Sequence, residues 1–475
     1  MKFFSGQKLK WNFIIPIFLW LLIWAGYNAD YGKLHSSNLL NFFHGIRAFF
    51  PILAGVLAFI LLIKRHFFSQ KILKTPLGFL IIYTLIGIIS SIFLSAKPLI
   101  ALYWSFSYFS VLAVLFLTLT DSNSIPSLIN LNWIIVFFIT IGLFLFFLFQ
   151  PGAISSLTRF FGGRPYEGLA GIPAEKQILG MAGTRPTGLG RYAGVIALVA
   201  LAKLLSDKRK LKLNWFFFFL FSYFILLFTE ARTAILGFVF ASFLIFLLNS
   251  QSKTAIFSWS SFTLLHLVLV GIFLFYIPYF SEKIVIPQPT VVTLTPPAPT
   301  PPAPTPPAPT PPAPQPQIFV PQPGSKTATE TILFTLSGRT TGVWPQAWKL
   351  FLKSPLIGFG FHADRIFLEG QHAHNAILHA LIQTGVIGTI PFIIAFVWAW
   401  IILFKLLKKP IPEKPFLIEI AAIFAFFTIR GITESTGAFF GVDWILLAPL
   451  LAYLQFLNQK NYGQKSNSIN SNFRK

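Results

Sequence analysis

The sequence predicts an all-α fold: a polytopic transmembrane helix bundle of about 12 helices with a large external loop that carries short amphipathic helices. Three observations support this prediction. Hydrophobic residues make up 55% of the 475 residues and charged residues 11%, too apolar a composition for an ordinary soluble domain. Apolar stretches that approach the length of a membrane-spanning helix recur between polar breaks. The alternating pattern of a membrane-spanning β-strand is missing from the sequence.

Twelve apolar stretches are predicted to span the membrane. In chain order they are 12–29, 45–63, 76–95, 99–119, 132–149, 188–206, 214–230, 233–249, 258–281, 376–404, 416–433 and 438–457. The first nine spans, with an external loop at about 150–187, occupy residues 1–281, and the last three occupy 376–457. Residues 458–475 form a polar tail.

The distribution of positive charge orients the bundle. Lys and Arg outnumber Asp and Glu by 37 to 14. When the N-terminus is placed inside, most of the basic residues in short loops fall on the cytoplasmic side. This predicts a multi-pass protein of the plasma (inner) membrane, in contact with membrane lipids and with both termini cytoplasmic. A nucleic-acid partner is not expected, since the basic residues face two compartments. The chain contains no cysteine, which excludes disulfides and thiolate metal sites.

The largest soluble part is the external loop 282–375. Its residues 295–314 repeat TPPAP four times, a composition that favours polyproline II and cannot form a core. We expect a disordered spacer or mobile flap, with a glycosylated stalk as the alternative. Residues 330–375 are predicted to form a helical cap, because Trp344, Ala347, Trp348 and Phe351 recur at helical spacing.

Two arginines are candidate anion ligands at the outer surface. Arg232 lies between two apolar helices, where we expect Glu230 or an anionic ligand as its partner; snorkelling to lipid headgroups is the alternative. Arg339 precedes the amphipathic helix, where free amides and a guanidinium could bind the same anion. Arg185 and Arg191 flank a glycine-rich bend at the outer end of the sixth span and are weaker candidates.

Three histidines crowd the stretch QHAHNAILHALIQTGVIG at 371–388. They cannot all face one ion from a single helix, so no metal site is predicted, although Asp364 and Glu369 could supplement one. His374 lies directly before the tenth span and is the best placed general base. His372 and His379 are expected to support it or to be structural. Gly385 and Gly388 are expected to allow close helix packing.

Read together, these motifs resemble the bacterial O-antigen ligases and the related lipid-linked oligosaccharide polymerases. His374 and Asn375, followed by GVIGT at 385–389, are similar to the family signature. TEARTAILG at 229–237 and SGRT at 337–340 resemble its two arginine motifs. TEST at 433–436 contains Glu434 where the family often has an acidic residue. The resemblance covers about 150–440.

The resemblance implies a membrane glycosyltransferase with its active site on the external, periplasmic face. A polyprenyl-diphosphate-linked glycan would be the donor, and an acceptor hydroxyl on lipid, glycan or protein would attack it with inversion. His374 would be the base and Arg232 and Arg339 would neutralise the diphosphate, with Arg185, Arg191, Glu230, Asn375 and Glu434 binding substrate. No cofactor or metal is expected.

Ligation, repeat-unit polymerisation and protein O-glycosylation remain open within the family pattern. A lipid-linked glycan flippase is the alternative from a different class. It should carry charges at the bilayer midplane or inverted repeats. The sequence offers mainly Glu419 within a predicted span, and no clear duplication.

Overall fold

The computed structural model describes eleven stretches of the chain: 11–27, 42, 45–64, 75–119, 124–148, 186–206, 213–229, 231–249, 260, 342–368 and 372–472. Every regular element within these stretches is a helix, and none of them contains a strand. This agrees with the predicted all-α class. The TPPAP repeat at 295–314, most of the ninth span at 258–281, and the loop at 150–187 apart from its last two residues lie outside the described residues.

Thirteen helices are described. They are α1 (Trp11–Gly26), α2 (Phe50–Lys64), α3 (Pro76–Phe93), α4 (Pro98–Thr118), α5 (Ser124–Leu148), α6 (Pro186–Ser206), α7 (Leu213–Phe228), α8 (Arg232–Asn249), α9 (Trp344–Lys353), α10 (Ala363–Phe367), α11 (Ala376–Leu407), α12 (Lys414–Thr433) and α13 (Val442–Asn472).

Eight of these helices, α2 to α6, α8, α11 and α12, are long and apolar enough to cross a membrane. They coincide with eight of the predicted spans. Helix α2 reaches this length together with the turn that precedes it, since its span runs from Gly45 to Lys64. Helices α1 and α7 coincide with two more predicted spans, but their apolar parts, Ile14–Gly26 and Leu213–Leu227, are shorter than 18 residues. Helix α13 coincides with the twelfth predicted span yet is not among the eight, because polar residues such as Asp443 and Gln455 lower its hydropathy. Both of these side chains are buried inside the bundle.

Helix ends that were predicted to share the outer side of the membrane do meet. The amide of Asn375, before α11, donates to the carbonyl of Ile432 near the end of α12 at 2.9 Å. Arg430 of α12 reaches the hydroxyl of Thr233 at the start of α8 at 3.4 Å. These contacts place the candidate site residues on α8, α11 and α12 at one end of the bundle.

Helix α11 is broken at Gly385, which has φ of 57° and ψ of −165°. The break frees backbone groups, and the loop after α9 satisfies them: the amide of Val386 donates to Pro355 at 2.8 Å, and the amide of Phe359 donates to Ile382 at 2.8 Å. A Cβ at Gly385 would lie 2.2 Å from the carbonyl carbon of Leu356. The close approach at this glycine is thus with a loop rather than with the neighbouring helix that the sequence suggested.

The described part of the cap packs on the first half of α11. Helix α9 buries Ala347, Leu350 and Phe351, and these residues form a small core with the apolar residues around α10. Trp348, which shares the predicted apolar pattern, is half exposed. The cap holds the segment that ends in His374 against the bundle.

Candidate active site

His374 and Glu434 form a partly exposed pair at the end of the bundle that α11 and α12 share. Nδ1 of His374 lies 3.2 Å from Oε2 of Glu434, and the two side chains are 29% and 22% exposed. His374 has a φ of 49°, a left-handed conformation that is uncommon for a residue with a side chain. A carboxylate on Nδ1 fixes the tautomer in which Nδ1 carries the proton and Nε2 has a free lone pair.

Asn375 fixes the backbone beside His374. Its side-chain oxygen caps α11 by accepting from the amide of Leu378 at 2.9 Å. Its amide nitrogen donates to the carbonyl of Ile432 at 2.9 Å. Both polar atoms of this predicted substrate ligand are therefore engaged inside the protein. They tie the start of α11 to α12, which ends directly before Glu434.

Arg191 is partly buried against the start of α13. Nη1 of Arg191 lies 2.9 Å from Oδ1 of Asp443, and the guanidinium lies 5.1 Å from the ring centre of Tyr192. The other carboxylate oxygen of Asp443 accepts from the hydroxyl of Thr436 at 2.9 Å. Arg191, a predicted anion ligand, is thus held within the bundle by a carboxylate.

Arg430 joins this group from the last turn of α12. It is 4% exposed, and its Nη2 lies 3.9 Å from Oδ2 of Asp443. Its carbonyl accepts from the amide of Glu434 at 2.7 Å. Arg430 therefore connects the buried charges around Asp443 with the residue that pairs with His374.

Arg232 is the first residue of α8, and its side chain is exposed. The start of an 18-residue helix carries partial positive charge on its free amides, which adds to the guanidinium charge. The next residue, Thr233, contacts Arg430. The other predicted ligands, Arg185, Glu230 and Arg339, lie outside the described residues.

A second, buried cluster lies beside the pair, formed by Asp364, His372 and His379. Nδ1 of each histidine is 3.0 Å from Oδ2 of Asp364. The amide of Ala373 donates to the same oxygen at 3.3 Å. Asp364 is fully buried and His379 is 1% exposed. The ligand atoms of these three side chains all lie within 4.8 Å of one another, a spacing that could hold a metal ion.

Burial and the neighbouring histidines set the charge of this cluster. Burial raises the pKa of Asp364, but His379 and His372 outweigh it and hold that pKa well below its usual value. Burial lowers the pKa of His372, and it lowers the pKa of His362, which stacks on Trp104, to about 4. Burial therefore favours the neutral forms of His372 and His362, whereas the neighbouring histidines favour the ionised form of Asp364.

Sequence reasoning missed Arg430 and Asp443. Both residues lie in predicted spans, but Glu419 was the main charged residue that the sequence analysis noted there. An ionisable residue inside a membrane helix is by default a candidate for function, so this signal could have identified both. Glu419 instead forms an ion pair with Lys203 at 2.7 Å and accepts from Trp133 at 2.6 Å.

Comparison with known families gives a match over part of the chain. Residues 216–393, less than half of the chain, match the family model described as O-antigen ligase. The matched segment includes Arg232, Asp364 and His374, while Arg191, Arg430, Glu434 and Asp443 lie outside it. No curated protein matches the chain.

Proposed function

Because residues 216–393 of this membrane protein match the O-antigen ligase family model, we propose that the chain transfers a glycan from a polyprenyl-diphosphate donor to an acceptor hydroxyl. The transfer takes place at the external face of the plasma membrane, inverts the anomeric centre and uses no metal ion at the reacting atoms. The observation that carries the proposal is the His374–Glu434 pair, which Arg430 connects to the charged group that Arg430, Arg191 and Asp443 form.

His374 is the general base. Nδ1 faces Glu434, so Nε2 is the atom left to accept a proton from the acceptor hydroxyl. The imidazolium that forms is stabilised by the Glu434 carboxylate, as in other histidine–carboxylate pairs. The partial exposure of both side chains leaves room for an acceptor to approach.

The arginines stabilise the leaving group. Negative charge grows on the diphosphate as the bond to the sugar breaks, and fixed cations stabilise a transition state most where charge develops. Arg232 combines an exposed guanidinium with a helix start. Arg191 and Arg430 together carry one more charge than their shared partner Asp443, so they add positive potential at this end of the bundle. Arg339, and more weakly Arg185, are proposed to complete this site from the segments outside the described residues.

Atoms and charge balance in a single displacement. The acceptor oxygen forms a bond to the anomeric carbon while the bond from that carbon to the phosphate oxygen breaks. The hydroxyl proton goes to Nε2 of His374 and then to solvent. The products are the glycosylated acceptor and the polyprenyl diphosphate. A lipid, a growing glycan or a protein hydroxyl fits this chemistry equally well, so ligation, polymerisation and protein glycosylation share the mechanism.

The test is a transfer assay with purified full-length protein, a polyprenyl-diphosphate oligosaccharide and a panel of lipid, glycan and peptide acceptors, with products identified by mass. We expect a single class of product. Arg232→Ala should lower kcat and kcat/KM for the donor, and free polyprenyl diphosphate should inhibit this variant less than the wild type. Lys349→Ala removes an exposed cation from α9 and is the matched control.

Two results would count against the proposal. Failure of the wild type to transfer to any acceptor class, with transport of the intact donor across vesicles instead, would indicate a flippase. Equal effects of Arg232→Ala and Lys349→Ala would reduce the role of Arg232 to general surface charge.

A further inference from the structure

We propose that Asp364, His372 and His379 bind one divalent metal ion, for which Zn²⁺ is the best match. The three ligands come from α10, from the segment before α11 and from the first turns of α11. Two imidazole nitrogens and one carboxylate oxygen are the ligand types that zinc takes in proteins. The site is separate from the His374–Glu434 pair and does not depend on the proposed transfer reaction.

The hydrogen bonds of Gln383 assign the tautomer of His379. Gln383 satisfies its neighbours when its nitrogen donates to the Tyr83 hydroxyl and to the Ala438 carbonyl, each at 2.9 Å, and its oxygen accepts from Nε2 of His379. Nδ1 of His379 then presents a lone pair to the carboxylate of Asp364, 3.0 Å away. Two acceptors facing each other at this distance repel unless a cation lies between them.

The cation can be a proton or a metal ion, and the local geometry favours the metal. Although Nδ1 of His379 is close to Oδ2 of Asp364, it is buried and has no hydrogen-bond partner. Oδ1 of Asp364 is also buried without a partner. An imidazole whose second nitrogen donates to a fixed acceptor, as His379 does to Gln383, is the usual arrangement around a metal.

The cluster also has space for an ion. A cavity of about 10 Å³ lies among the three side chains, walled by Trp104, His362 and Gln383. This is close to the space that one water molecule needs. Ligands of a tetrahedral zinc ion at its usual bond lengths are about 3.4 Å apart. The two contacts of 3.0 Å would therefore open by only a few tenths of an ångström.

Arg365 opposes metal binding at His372. Its Nε donates to Nε2 of His372 at 3.1 Å, and a second guanidinium nitrogen contacts the same atom. In this arrangement Nδ1 of His372 carries the proton and donates to Asp364. Metal binding at Nδ1 moves that proton to Nε2, which can then no longer accept from Arg365, so the guanidinium has to withdraw. Its side chain is exposed, so it can leave without unfolding the site. Arg365 is thus a competitor of the ion.

The experiment loads the full-length protein in detergent with Zn²⁺, removes free metal and measures bound metal by mass spectrometry. We expect about one Zn²⁺ per chain. His379→Gln and Asp364→Ala should lose it, whereas His374→Ala, two residues from His372, should retain it. Arg365→Gln should bind Zn²⁺ several-fold more tightly than the wild type. Co²⁺ should give the visible absorption bands of a nitrogen- and oxygen-ligated ion, and these bands should disappear in His379→Gln.

Size-exclusion profiles show which variants fold. If the other variants do not fold, the wild type and Arg365→Gln alone test the proposal. Failure of both proteins to bind metal would overturn it and would show that a proton lies between His379 and Asp364. Zinc bound equally by wild type and a folded His379→Gln also overturns it, since the ion would then lie elsewhere.

Discussion

Two histidines two residues apart have opposite surroundings. His374 is 29% exposed, and its Nδ1 pairs with the partly exposed Glu434. His372 is 20% exposed, and both of its nitrogens contact charged partners, Asp364 on one side and Arg365 on the other. A base must keep one nitrogen open for substrate, whereas a structural or metal-binding imidazole uses both. Whether one or both ring nitrogens have a partner therefore distinguishes the proposed base from the structural or metal-binding histidine better than burial does.

Replacement of each histidine by alanine gives the largest contrast. His374→Ala should reduce transfer on the order of 10²- to 10⁴-fold, the range of general-base catalysis, while thermal stability changes little. His372→Ala should instead lower the thermal midpoint, because Asp364 loses a donor at 3.0 Å. Turnover and melting curves of the two purified variants measure this contrast. Equal activity losses in both variants would show that the two histidines do not differ in role.

The second contrast is between a buried carboxylate, Asp364, and an exposed one, Glu413. Asp364→Ala removes the acceptor of His372 Nδ1 and of the Ala373 amide inside the protein, which should cost about 3 kcal/mol of folding free energy. Glu413→Gln is the control: Glu413 pairs with Lys460 at 3.4 Å, but the side chains are 29% and 48% exposed. An exposed pair contributes about 0–1 kcal/mol at most. Denaturation in matched detergent, without added metal, compares the two variants.

Much of the bundle and part of the site follow from the sequence. Apolar length located eleven of the thirteen helices that the structure describes, and the pattern of Trp344, Ala347 and Phe351 located α9. His374 and Glu434 were found through motifs, and the structure brings them together. Local patterns could not show that Asp364 joins His372 and His379, because that contact depends on how the cap folds back on α11.

The break at Gly385 is a second feature that the local sequence could not predict. A glycine in an apolar run is compatible with helix packing, with a kink or with no special role. Its φ of 57° and the hydrogen bonds of the inserted loop arise only when residues 355–360 lie against α11. Arg430 and Asp443 differ from Gly385, because the sequence alone shows that they are charged residues in predicted membrane spans. Only the contact between them requires the structure.

Glu434→Gln should have the smallest effect and tests how much the base depends on its partner. The amide keeps the size of the side chain and can still accept from Nδ1 of His374, but it no longer stabilises the imidazolium by charge. Glu434 is 22% exposed, so solvent screens part of that charge. We expect a fall in kcat on the order of tenfold and little change in KM, since the interaction strengthens only as the proton moves.

The kcat of Glu434→Ala should fall further, because the His374 ring also loses its orienting acceptor. If Glu434→Gln reduced turnover as much as His374→Ala, the charge of Glu434 would be as important as the base itself, and the expectation of a tenfold effect would be wrong.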